Sequence, residues 1–144
     1  MIDHVWTVLC SRSVIDIETN NVSIQDVIEQ LNIPGDPKPD GLLAIPFEII
    51  SLWARSESKM PKQGLERITF ITPSEKSTIV AESPIDLSTA ERQRNRIKFP
   101  GLPIAEEGRH YFQIEYKQDD DSEWIKATAL PISIQFDHKH TPMP

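Results

Sequence analysis

Cysteine is almost absent from this chain. Cys10 is the single one in 144 residues, so no intrachain disulfide can form and no zinc site of several cysteines is available. Long apolar runs are missing too. Nothing approaches the about 18 consecutive apolar residues of a membrane-spanning helix. Met1 to Cys10 carries Asp3 and lacks a basic start, which does not match a secretory signal. Basic residues are outnumbered, 15 against 22 acidic, for a net charge of −7. Such a field repels nucleic acid and anionic membranes, so neither is an expected partner. Five glycines are set against 12 prolines, and scattered prolines oppose long helices and favour short strands joined by turns. G-x-S-x-G, Walker, G-x-G-x-x-G, H-E-x-x-H and C-x-x-C patterns are all lacking. No cofactor is implied, and the balance leans away from an enzyme. The expected setting is the cytoplasm.

What is present is alternation. In Gly108 to Tyr116, Phe112, Ile114 and Tyr116 alternate with Tyr111, Gln113 and Glu115. A period of two puts these sets on opposite faces of a strand. Lys117 to Ser122 is polar and acidic and reads as a hairpin tip. Trp124 to Phe136 then returns with Leu130, Ile132, Ile134 and Phe136 in phase. One apolar face per strand demands a second layer to cover it.

The remaining segments follow the same logic. His4 to Ser11 reads as a strand that is nearly buried on both sides. Val22 to Leu31 fits either an amphipathic helix or a strand with a bulge. The tight turn Glu18 to Asn21 and the strand before it favour a hairpin partner. Pro34 to Gly41 is a loop suited to an extended crossing between sheets. Leu42 to Arg55 reads as one long strand, with Phe47, Ile49, Ser51 and Trp53 on one face. Leu65 to Thr72 and Ser77 to Ser83 form a further pair, with Ile68 and Phe70 inward. Ser88 to Glu91 matches a capping box that would open one short helical turn. Arg92 to Phe99 is the last strand before the terminal hairpin. The expected fold is all-β, an antiparallel β-sandwich of about seven to nine strands. Residues 1–137 form one domain in this reading, and 138–144 a flexible tail.

Four features can carry binding or chemistry. Arg92, Arg94, Arg96 and Lys98 point the same way in an extended strand and can hold carboxylates or phosphates. A solvated face or a charged edge that blocks aggregation also explains them. Asp119, Asp120 and Asp121 are oxygen donors for a calcium-dependent, C2-like module, or simply a solvated tip. His138 and His140 can reach one metal from an extended tail, or decorate a free terminus. Cys10 lies among apolar residues and reads as a buried structural thiol, while His4 and His110 read as packed or hydrogen-bonded.

The segments VWTVLCS, VSIQDVIEQLNIP, FEIISLWAR and FPGLPIAEEGRHYFQIEY followed by ALPISIQF together resemble a family of short uncharacterised bacterial β-sandwich proteins. The EEGRHYFQIEY hairpin is also similar to immunoglobulin-like domains in general, without their inter-sheet cysteine pair. The resemblance implies a sandwich and carries no activity. The expected function is a non-enzymatic binding or interaction module. Its partner would be another protein or a second copy, the latter as a homodimer through a strand edge. The rivals are the calcium-dependent C2-like module and a small hydrolase with loop-borne residues. Calcium separates the first rival. A melting temperature that rises on calcium titration supports the Asp119 to Asp121 site, and an unchanged one removes it.

Overall fold

The computed structural model describes residues 2–36, 42–55, 62–118 and 123–137. One sheet takes β1 (Ile2–Ile15), β2 (Val22–Val27), β5 (Phe47–Arg55) and β8 (Arg92–Phe99) in the order β2-β1-β5-β8. The other takes β3 (Gln30–Pro34), β6 (Lys62–Ile71), β7 (Ser77–Leu87), β10 (Gly108–Lys117) and β11 (Ile125–Asp137) in the order β3-β11-β10-β6-β7. A short bridge joins β4 (Leu42–Leu43) to β9 (Leu102–Pro103). Among the described residues there is no helix, and the two large sheets pack as an all-β sandwich. It follows that no described helix is long and apolar enough to cross a membrane.

The hairpin read from alternation is the β10–β11 pair, with Phe112 opposite Leu130 and His110 opposite Ile132. Gly108, at φ 124°, launches β10 from a backbone region that side-chain-bearing residues rarely adopt. Phe112, Ile114, Ile132 and Ile134 are fully buried, facing Ile49 and Trp53 of the opposite sheet within one core. Phe47 joins the layers through rings. It stacks on Phe99 at 4.7 Å and meets Phe112 at 5.7 Å between centroids. Each such buried side chain contributes about 1.5–3 kcal/mol relative to exposure.

Four expectations change on contact with the structure. Val22 to Leu31 is extended, as the hairpin reading requires, but it is two strands in different sheets. β2 pairs antiparallel with β1, whereas β3 pairs parallel with β11. The switch is marked by Asp26 at φ 53°. Ile28 N donates to Leu9 O in one sheet, and Glu29 O accepts from Ser133 N in the other. Leu42 to Arg55 is not continuous either, because the ladder breaks over 44–46, at Pro46, which has no N–H to give. No helical turn opens at Ser88. Its N–H and hydroxyl both turn back to Asp86 Oδ1, which removes the cap. Of the loop expected over Pro34 to Gly41, Pro34 instead ends β3, paired with Asp137, and residues 37–41 lie outside the described residues.

The centre of the sandwich is polar at one point. Glu66 on β6 is in phase with Ile68 and Phe70, so its carboxylate faces inward, and it is fully buried. Trp53 Nε1 and Asn95 Nδ2 donate to Oε1 at 3.0 and 2.8 Å, and Ser51 Oγ donates to Oε2 at 2.8 Å. All three donors come from the opposite sheet. Replacing Glu66 with Leu strands three buried donors at about 1–3 kcal/mol each. Urea unfolding of Glu66→Leu is expected to show a loss of at least about 3 kcal/mol, with Glu66→Gln intermediate. A midpoint equal to wild type in Glu66→Leu would remove this account.

Candidate functional site

Alternation along β8 sends Gln93, Asn95, Ile97 and Phe99 inward and Arg92, Arg94, Arg96 and Lys98 outward. The cations lie opposite Ala54, Leu52, Ile50 and Glu48 of β5. The inward set closes the sandwich on this side. Gln93 Oε1 accepts from Asp86 N at 2.6 Å, and Gln93 Nε2 donates to Pro84 O at 3.0 Å. The edge of β8 is thereby tied to β7 by side chains rather than by a backbone ladder.

The four cations share a face but not a role. Arg96 lies with its Nε 3.7 Å from Glu48 Oε2, and Glu48 also accepts from Ser13 Oγ at 2.6 Å. That Nε is buried and has no hydrogen-bond partner. Arg94 Nη2 donates to Asn20 O at 2.6 Å and to Asn20 Oδ1 at 3.2 Å. Arg92 and Lys98 are exposed, and among the described residues neither has a hydrogen-bond or ion-pair partner.

Asn20 reaches Arg94 because the β1–β2 hairpin folds over the sheet. Asn20 belongs to the tip of that hairpin, yet β5 separates β1 from β8. The hairpin arm therefore crosses the outer face of β5. Its passage explains why Cys10, Ser13, Glu48 and Ile50 are buried on a face that would otherwise meet water. The tip is stiffened by Asp16, whose Oδ1 accepts from Thr19 N at 2.9 Å and Glu18 N at 2.8 Å. These amides hold its carboxyl below the usual range, Thr19 first. Asn20 takes the left-handed backbone, φ 59°, that asparagine tolerates.

Between arm and sheet lies a slot of about 320 Å³. Trp6 and Leu52 supply its apolar side, Arg92 and Arg94 its cationic side, and Asn20 and Asn21 its polar roof. Among the described residues no carboxylate lines it. A second depression, about 340 Å³, opens where β2 crosses to β3. Its walls are mostly apolar, with Arg109 as the one cation and Glu29 as the one carboxylate among the described residues that line it.

The other titratable groups serve packing. The Cys10 thiol is enclosed, and burial pushes its pKa up, with Glu48 adding to the rise and Arg96 partly offsetting it. Such a thiol is a poor nucleophile. His110 is buried, lies against Phe70 at 5.3 Å, and has Nδ1 3.0 Å from Gly108 O. His4 ends a chain of hydrogen bonds. Its Nε2 is 2.6 Å from Thr7 Oγ1, and Thr7 Oγ1 is 2.9 Å from Ser51 Oγ, which donates to Glu66. Each hydroxyl has one proton. Ser51 spends its proton on Glu66, so Thr7 donates to Ser51 and accepts from His4 Nε2–H. The imidazole is thus a donor to Thr7, not a base for it, and this histidine–hydroxyl pair is not an activated nucleophile. Among the described residues no group of three or more His, Cys, Asp or Glu side chains is placed to hold a metal. Asp119, Asp120, Asp121, His138 and His140 lie outside the described residues.

No family model and no curated protein matches this chain. Among solved structures, 55 chains match. One, titled "Structure of the N-terminal domain of PorA", is 11% identical and covers 92% of this chain and 98% of its own, with a TM-score of 0.29. That likeness is too loose to carry strand order or a site from that domain to this chain.

The common direction of Arg92, Arg94, Arg96 and Lys98 is what period two implies. Trp6 and Asn20 were not singled out by the sequence, since an apolar strand and a turn give no hint that they meet across β5.

His4 yields a pH prediction. Burial lowers its pKa from the ordinary 6.5, so the unfolded chain takes up this proton first. The stability due to neutral His4 is complete above 6.5 and is lost as pH falls through that value toward the lower folded-state pKa. Urea midpoints measured from roughly pH 7 to pH 5 should fall less steeply in His4→Asn than in wild type. Equal slopes would show that this ring does not carry the dependence.

Proposed function

We propose that the protein is a non-enzymatic binding module that engages an acidic protein partner through the outer face of β8. The observation that carries this is the row Arg92, Arg94, Arg96 and Lys98 on one face of a chain whose net charge is −7. Arg92 and Lys98, at its two ends, are exposed and unpartnered among the described residues. Unneutralised guanidinium and ammonium groups on an acidic protein favour an anionic counterpart locally, while the overall field disfavours nucleic acid and anionic lipid. Guarding an edge against strand addition is a weaker explanation of these charges. The edge of β8 is already bridged to β7 by Gln93, and the cations project from the face.

Self-association through a strand edge is the second reading, and the edges work against it. The register against neighbouring strands inserts one extra residue at Val5 in β1, at Val80 in β7 and at Ala127 in β11. Bulges twist an edge away from a flat partner. Pro84 and Pro131 remove donors from β7 and β11. A cytoplasmic setting suits the single unpaired thiol.

The test uses Arg92→Glu with Lys98→Glu, because Arg94 and Arg96 also hold the fold together. Wild type is expected to be retained on immobilised poly-glutamate at low salt and to elute as salt rises. The double variant should pass unretained with an unchanged melting temperature. Full retention of the double variant would sink the proposal.

A further inference from the structure

We infer that the slot beneath the β1–β2 arm is a specificity pocket that takes a single carboxylate side chain flanked by an apolar residue. This rests on the binding-module reading and names what the partner must present. The Nη2 of Arg94 is committed to Asn20 O and Oδ1. That contact fixes the plane of the guanidinium and leaves its Nε and Nη1 without a partner among the described residues. Arg92 lies two residues away on the same face, about 6.5 Å along an extended strand. A carboxylate placed between them accepts from both forks, and a pre-oriented guanidinium loses less freedom on binding than a free one.

The remaining walls define the rest of the ligand. Trp6 and Leu52 offer an apolar surface beside the two guanidiniums. A hydrated inorganic anion gains nothing from that surface, whereas an apolar residue next to the acid does. The volume, about 320 Å³, lies at the low end of ligand pockets and suits a side chain or two rather than a large molecule. Arg96 and Lys98 lie outside the slot lining and serve the general attraction of the face. The arm carries the selectivity. Without the Arg94–Asn20 contact the slot has no roof, and the face becomes an open cationic strip.

The experiment is an NMR titration of the full chain with three probes: acetyl-Leu-Glu-Leu-amide, acetyl-Leu-Gln-Leu-amide and inorganic phosphate. The Trp6 indole N–H and the Asn20 amide are the reporters. The Glu peptide is expected to move both, the Gln peptide and phosphate to move neither, and Arg92→Gln to weaken the Glu peptide roughly tenfold. Three results overturn the inference: equal shifts from the Glu and Gln peptides, equal shifts from the Glu peptide and phosphate, or no shift at Trp6 at the solubility limit of the peptide. Poly-glutamate is the separate control. Shifts at Arg96 and Lys98 with Trp6 unmoved would keep the acidic-partner reading and remove the slot alone. No shifts anywhere on β8 would remove both.

Discussion

The sandwich depends on a carboxylate placed where a sandwich should be driest. Glu66 is fully buried and accepts from Ser51, Trp53 and Asn95 across the gap between the sheets. Apolar packing is non-directional and tolerates sliding of one sheet over the other. Three hydrogen bonds to a single carboxyl group do not tolerate sliding, because any shift leaves buried donors unpaired in a medium of low dielectric. The bonds come from two adjacent strands, β5 and β8, so they also fix the place of β8 at the edge of its sheet. Once β8 is placed, its alternation leaves no choice for Arg92, Arg94, Arg96 and Lys98 but the outer face. The inward residues of β8 hold the fold, and by the same geometry its outward residues are left on the outer face.

A second constraint acts on that outer face. The β1–β2 arm covers Cys10, Ser13, Glu48 and Ile50, and in doing so it engages Arg94 and, through Glu48, Arg96. Two of the four cations are thereby drawn into structural work, and two remain at the ends of the row. The burial of Glu48 beside Arg96 and Ser13 is a small polar knot under the arm, and the Cys10 thiol next to it is pushed up in pKa first by its own burial and then by Glu48, with Arg96 partly offsetting the rise. An arm of this kind lets a two-sheet fold build a concave site on an otherwise flat face. Antiparallel sandwiches usually reserve such sites for the loops at their ends.

Period-two alternation made the strands legible wherever one face meets the core. Phe112, Ile114, Ile132, Ile134, Phe47, Ile49 and Trp53 are all where their spacing puts them. The same signal was in the sequence for Glu66, which is in phase with Ile68 and Phe70, although nothing local marks a buried acid as satisfied. The failures share a cause. Val22 to Leu31 carries one continuous apolar pattern, yet a single left-handed residue, Asp26, lets it serve two sheets. Ser88 has the spacing of a helix cap, but Asp86 offers its hydroxyl and amide a nearer acceptor. Strand order is not written in periodicity, so the meeting of Asn20 with Arg94 across β5, which creates the slot, could not be read from the sequence.

The distribution of irregularities also supports the proposed contact through a face over pairing through an edge. Each of the bulges at Val5, Val80 and Ala127 falls on a strand with backbone exposed along at least part of an edge. Among the described residues β2 covers β1 only over Cys10 to Ile15, and β3 covers β11 only over Ser133 to Asp137, so the rest of both edges would be flat templates without the bulges. A bulge interrupts the very ladder through which backbone recognition works. Recognition that cannot use the backbone must use side chains, and side chains act from a face. On the outer face of β8, Arg92 and Arg94 line a walled recess beside the Trp6 indole, so charge, shape and apolar contact converge there. Edge defects and face chemistry thus support the same proposal: the first disfavours strand addition, and the second offers the proposed partner a contact made by side chains.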